Sequence, residues 1–124
     1  MKGKYVIVEI IPEAISPDKG NLVQISALKL EGLKLIDRFD YRIREDKITN
    51  NDIRDMVSYD KDSFTYLDST LELVSEFQKW VDDLDILILD NDYTNNYLAS
   101  IKNKKQSIAS LLKMETPYFI RMFM

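Results

Sequence analysis

Apolar residues change their spacing along this chain, and each change marks an element. Tyr5 to Ile11, YVIVEII, is a continuous β-branched run. It is too short and too branched to favour a helix, so it predicts a first strand buried on both faces. Glu9 is the one charge inside it, before Pro12 breaks the run. A buried carboxylate is costly unless it is paired, hydrogen-bonded or bound to a metal, so Glu9 belongs either to a sheet edge or to a site. SPDKGN then offers Pro, Asp and Gly in turn order, and LVQISALKL is rich in strand formers. After Glu31-Gly32, a tight-turn signal, apolar residues alternate through Leu33, Leu35 or Ile36, Phe39, Tyr41 and Ile43. Three antiparallel strands are therefore predicted to open the domain.

Further on the period lengthens. TNNDIRDMVSY supplies Thr49 or Asn50 as a cap ahead of Ile53, Met56 and Val57, which predicts one short helix. In TYLDSTLELVSEFQKWVDD the residues Leu67, Leu71, Val74, Phe77, Trp80 and Val81 recur three or four apart, the stripe of a longer helix packed on a sheet. LDILILD reads as another buried strand, and DYTNNYLASIKNK as a helix carrying Tyr97, Leu98 and Ile101. The remainder, KQSIASLLKMETPYFIRMFM, predicts a short helix and then a strand or coil after Pro117.

Composition narrows the chemistry. With 124 residues and 45% hydrophobic content, residues 1–124 make a single domain with enough apolar material for a core. There are 31% charged residues of both signs, and only 3 Gly and 3 Pro, so no linker or low-complexity tract stands out. The chain has no cysteine, which removes disulfides and thiolate chemistry and fits a reducing compartment. It also has no histidine, which leaves carboxylates, lysines, tyrosines and hydroxyls for catalysis and oxygen ligands for any metal. The N-terminal apolar run is short and soon interrupted by Glu9 and Glu13, unlike a signal peptide or a membrane span, so a soluble cytoplasmic protein is expected. A net charge of −4 argues against tight non-specific binding to nucleic acid.

Order and wording together resemble the DnaQ-like (DEDD) 3′–5′ exonuclease family. YVIVEIIPEAISPDKGNLVQISALKL is similar to that family's first motif, an apolar strand ending in Asp-x-Glu, a loop, and a second strand reading Ile-Gln-Ile-Ser-Ala. Val23 to Ala27 is the closest part. LIDRFDYRIR resembles its third strand and FTYLDSTLELVSEFQKWV the helix before its second motif. ILILDNDYTNNYL stands where the second motif follows a strand. The likeness covers roughly residues 4 to 101 and leaves no motif intact. It implies an α/β, ribonuclease H-like mixed sheet, three antiparallel strands and then a parallel strand, with helices packed on it.

The departures bear on activity. Enzymes of this family hold two divalent metals with four acidic residues. In the matching positions Glu9 stands for the first Asp, Ile11 for the Glu, and Asn95 for the Asp of the second motif. The third motif finds no counterpart, so the domain is expected to lack the family's C-terminal helix. Glu9 is then a remnant at the rim of a degenerate cleft, and no cofactor is expected. In the alternative reading Glu9, Asp90 and Asp92, with Glu13 nearby, rebuild an oxygen-rich site for Mg or Mn. Against this, Asp92 or Asn91 suits helix capping. Lys102, Lys104 and Lys105 with Tyr93 offer weak phosphate and base contacts, although a basic helix C-terminus with Tyr97 in the core explains the same residues. The expected role is a catalytically inactive module that binds or regulates a protein partner or nucleic-acid machinery. Its expected partner surface is the apolar segment PYFIRMFM, to a protein or a second copy, with weak nucleic-acid binding and no membrane.

Overall fold

The structure, a computed structural model, describes residues 4–108 and leaves aside the side chains at 59–61 and 92. Its strands are β1 (Lys4–Pro12), β2 (Leu22–Glu31), β3 (Lys34–Ile43), β4 (Thr65–Leu67), β5 (Ile86–Leu89) and β6 (Lys105–Ser107), joined in one sheet in the order β4-β3-β2-β1-β5-β6. The helices are α1 (Asn51–Val57), α2 (Thr70–Trp80) and α3 (Asp92–Tyr97). As predicted, β1, β2 and β3 form an antiparallel meander, and β5 joins β1 in parallel from Tyr5↔Ile86 to Val8↔Leu89. The β2–β3 turn needs Gly32, whose φ of 61° lies in the left-handed region that a Cβ disfavours.

Strand β1 is not buried alike on its two faces. Val6, Val8 and Ile10 are nearly inaccessible, whereas Glu9, pointing the other way, is exposed. Tyr5 and Ile7 share the Glu9 face and pack in a separate small cluster with Ile86 and Ile88. Both faces are therefore apolar over most of the strand, which hides the period of two from a reading of the sequence.

The main core lies between the sheet and α2. Phe77 meets Phe39 edge-on with centroids 5.2 Å apart, and Leu73 is fully buried. The predicted stripe needs correction at its start: Leu67 belongs to β4, and Leu71 is 80% exposed. The reason is the pair of side-chain bonds that fixes the start of α2. Ser69 Oγ accepts from the Glu72 amide at 3.1 Å, and Glu72 Oε2 accepts from the Asp68 amide at 3.0 Å, so the helix begins at Thr70. Asn50 caps α1 by accepting from the Ile53 amide at 3.1 Å, as its sequence predicts, and Met56 faces outward.

Helix α3 is shorter than predicted. It stops at Tyr97; the chain then runs irregularly to β6, a strand the sequence did not announce. Tyr97, Leu98 and Ile101 still enter the core, because local bonds such as Ile101 N–H to the Leu98 carbonyl at 3.0 Å keep the chain turning. Among the described residues no helix is long and apolar enough to cross a membrane. Residues 109–124, with the PYFIRMFM segment and any C-terminal helix, lie outside the described residues.

Candidate functional site

The register lays out two rows across β1, β2 and β3 on the face that carries Glu9. Glu9, Ser26 and Asp40 form one; Ile11, Gln24 and Arg42 form the next. Glu9 is exposed, and Ile11 packs against the core. The Asp40 carboxylate pairs with Arg38 at 3.4 Å. The β1–β5 register ends at Val8↔Leu89, and Glu9 and Asp90 are the residues that follow this last pair. Asp90 Oδ1 accepts from the hydroxyl of buried Thr94 at 3.2 Å, which fastens the first turn of α3. That duty was expected of Asn91 or Asp92. Asn91 occupies the cap position without a side-chain bond, and Asp92 opens the helix. Among the described residues no three acidic side chains are grouped to hold a metal ion.

Asn95 is turned elsewhere. With Leu89, Asn91, Asn96, Lys105, Gln106 and Ser107 it lines an open cleft of about 390 Å³ at the β6 edge, and neither Glu9 nor Ile11 lines it. The lysines do not sit on a helix end as expected. Lys102 and Lys104 are exposed in the irregular stretch after α3, while Lys105 lies in β6 and donates to the carbonyls of Ile101 and Asn103. Burial, helped by the charge of Lys102, lowers the Lys105 pKa. Tyr93 packs against the core.

Glu13 has a different task from the one considered for it. Its Oε2 accepts from the Thr49 amide at 2.7 Å, the Thr49 hydroxyl at 2.7 Å and the Asn50 amide at 2.6 Å. Its Oε1 accepts from the Asn21 amide at 3.3 Å. Burial alone would raise its pKa; the Thr49 hydroxyl and the amides of Asn50, Thr49 and Asn21 outweigh that and hold it below the ordinary value of 4.5. Glu13 thus clamps the β1–β2 loop to the N-terminus of α1. Gly20 closes the same loop, where an added Cβ would come within 3.0 Å of Glu13 Cβ. From the other side the Tyr97 hydroxyl donates to the Ala14 carbonyl at 2.6 Å, and burial raises its pKa.

Because the folded Glu13 binds its proton less readily than the unfolded one, its stabilisation is present above the ordinary carboxyl pKa and is lost as pH falls through the depressed value. Glu13→Gln is expected to cost about 1 kcal/mol at neutral pH. The same change should flatten the fall in stability below about pH 4.5, as read from urea midpoints across that range.

Two buried cations went unnoticed in the sequence. Lys29 is 6% exposed, and its ammonium lies 3.3 Å from Asp85, 2.8 Å from the Trp80 carbonyl and 4.5 Å from the Trp80 ring centroid. Arg42, 2% exposed, donates to Gln24 Oε1 from Nε at 2.9 Å and from Nη2 at 2.5 Å. Its Nη1 donates to the Val57 carbonyl at 2.6 Å, and its guanidinium lies 3.7 Å over the Phe64 ring. Both sit in otherwise alternating strands, where an occasional Lys or Arg reads as an outward residue.

An antiparallel meander extended by a parallel strand across β1, with helices packed on it, is the ribonuclease H-like exonuclease fold. Solved structures of exonuclease I share it. In a complex with the inhibitor CFAM the TM-score is 0.61 at 6% identity, covering 91% of this chain and 30% of that one. Product-bound exonuclease I gives 0.61, 6%, 91% and 31%, and the complex with the inhibitor BCBP gives 0.57, 6%, 91% and 30%. The chain thus spans about 30% of the length of these proteins, and at this identity the likeness is one of fold. No family model and no curated protein matches the sequence.

Proposed function

We propose that this chain is a catalytically inactive domain on an exonuclease fold, acting as a binding or regulatory module for a protein partner, with nucleic-acid machinery as its setting. The observation that carries this reading is Ile11. It stands two residues beyond Glu9 on the same face of β1, where the resemblance calls for a second carboxylate, and its side chain is apolar and packs, partly buried, against the core. Two-metal phosphodiester hydrolysis needs clustered negative ligands and a group to take a proton from water. Asn95 is uncharged and lines the β6-edge cleft, Glu13 is held by Thr49, Asn50 and Asn21, and the chain has no histidine.

One observation favours a second reading, a residual Mg- or Mn-dependent 3′–5′ exonuclease using Glu9, Asp90 and Asp92: Glu9 and Asp90 both follow directly on the last pair of the β1–β5 register, Val8↔Leu89. A single assay separates the two. Purified protein and Glu9→Ala are incubated with end-labelled single-stranded DNA and RNA in Mg²⁺ or Mn²⁺. Neither is expected to shorten the substrate. Stepwise loss from the 3′ end that vanishes in Glu9→Ala would establish the second reading instead.

A further inference from the structure

Leu71 is 80% exposed, and it is not a lone apolar residue on a polar surface. With Leu67 of β4 and with Glu72, Ser75, Glu76 and Lys79 of α2 it lines an open groove of about 370 Å³. Residues four apart on a helix stand one above the other, so Leu71, Ser75 and Lys79 make one row, and Glu72 and Glu76 make a second row beside it. The buried residues of α2, Leu73 and Phe77, lie on a different side of the helix, the one turned to the sheet.

Charge runs in one direction along this stripe: Glu72 first, Glu76 next and Lys79 last. Lys79 pairs with Glu76 at 3.3 Å, yet its side chain stays 71% exposed. Glu72 engages Oε2 on the Asp68 amide and is otherwise open to solvent. Such a surface complements itself when a second copy meets it head to tail, because each Lys79 then comes level with the other copy's Glu72. Glu72 and Lys79 are separated by about 10 Å of helix, and their midpoint falls beside Ser75. Ser75 is the smallest side chain of the stripe, so the helices come closest where the two-fold axis crosses them. A copy running in the same direction would set Glu72 against Glu72 and Lys79 against Lys79, which like-charge repulsion disfavours.

We propose that α2 is the contact of a two-fold dimer of this chain, the two helices antiparallel and crossing at Ser75, with Lys79 of each copy paired to Glu72 of the other. Leu71 then lies against the aliphatic stem of the other copy's Lys79. One helix face is a small interface, so the pairing is weak and depends on concentration. It is also closed, because a two-fold contact uses the same surface on both copies and leaves nothing for a third. This inference stands apart from the proposed function, since it requires neither activity nor its absence.

Sedimentation equilibrium of the unchanged full chain is the first test. A monomer–dimer equilibrium is expected, half associated between about 0.1 and 1 mM and weakening severalfold as salt rises from about 0.05 to 0.5 M. Lys79→Glu and Leu71→Asp, both at exposed positions, should each weaken it at least about tenfold, the first by setting Glu against Glu72 twice and the second by replacing the apolar contact with a further acid. The absence of cysteine supplies a test of geometry, because one introduced thiol is the only one in each copy. Ser75→Cys brings two thiols beside the axis, and under mild oxidation it should form a covalent dimer at least about tenfold faster than Leu35→Cys, exposed on β3. A chain that stays monomeric at about 1 mM, a dimer indifferent to Lys79→Glu and Leu71→Asp, or Ser75→Cys cross-linking no faster than Leu35→Cys would each overturn the proposal, the second by placing the contact on another face.

Discussion

Lys29→Ala is expected to lower the free energy of unfolding by about 3–5 kcal/mol, the usual cost of removing one partner from a buried ion pair. The ammonium is the counter-charge of Asp85, whose side chain is only 3% exposed. Without it, Asp85 keeps the Asp82 amide, at 2.9 Å, but loses the cation 3.3 Å away. The Trp80 carbonyl and ring lose their partner as well. Asp82, also 3.5 Å from Lys29, is a poor substitute for Asp85 because it is 62% exposed and well solvated. Lys29→Met combined with Asp85→Asn should lose less than the sum of the two single changes, by about 2 kcal/mol, since the double variant leaves no orphaned charge. Urea unfolding of Lys29→Ala, and of the unchanged chain, Lys29→Met, Asp85→Asn and the double variant, measures both the loss and the cycle. A loss under about 1 kcal/mol in Lys29→Ala would show that water reaches Asp85.

Arg42→Ala is expected to cost about 3 kcal/mol, and its effect should be local before it is global. The guanidinium joins three parts of the fold: Gln24 on β2, the Val57 carbonyl at the end of α1, and the Phe64 ring just before β4. Charged hydrogen bonds each contribute about 1.5–3 kcal/mol, and a desolvated cation over a ring about 2. Their loss leaves Gln24 Oε1 and the Val57 carbonyl short of donors inside the protein. Strand β4 spans only Thr65–Leu67 and pairs with β3 through Tyr41↔Thr65 to Ile43↔Leu67, so its ladder is short. Hydrogen exchange should therefore rise first between about residues 57 and 67. Arg42→Lys should recover less than half the loss, since one ammonium cannot serve two sites in a planar fork. Exchange that rises evenly along the chain would remove the fastening role assigned to Arg42.

The same residues show how far a sequence carries. Strands β1 to β3, β5, the cap at Asn50 and the bulk of α2 were legible because their patterns are local and run for several residues. Strands β4 and β6 have three residues each, too few for any period to appear. The stop of α3 at Tyr97 was hidden because Leu98 and Ile101 keep helical spacing after the helix has ended. Within the candidate site, Glu9 and Ile11 could be placed on one face by counting along a strand, whereas Asn95 could not, because its direction depends on how α3 packs beside β6.

By itself, then, the sequence determined the meander, the parallel return of β5 beside β1, and the lone carboxylate at Glu9 among apolar neighbours. The strands of the meander and the place of Glu9 follow from the alternation of side chains along a strand, whereas the parallel return of β5 was what the family resemblance and the strand, helix, strand order implied. Tertiary structure alone decided what the charged residues do. Glu13 became a clamp because three amides and a hydroxyl converge on it from the Asn21 and Thr49–Asn50 segments. Lys29 became a buried cation because Asp85 folds to within 3.3 Å of it from a turn more than fifty residues later. A charge can be buried only where its partners meet it in space, and no pattern of neighbours along the chain records that meeting.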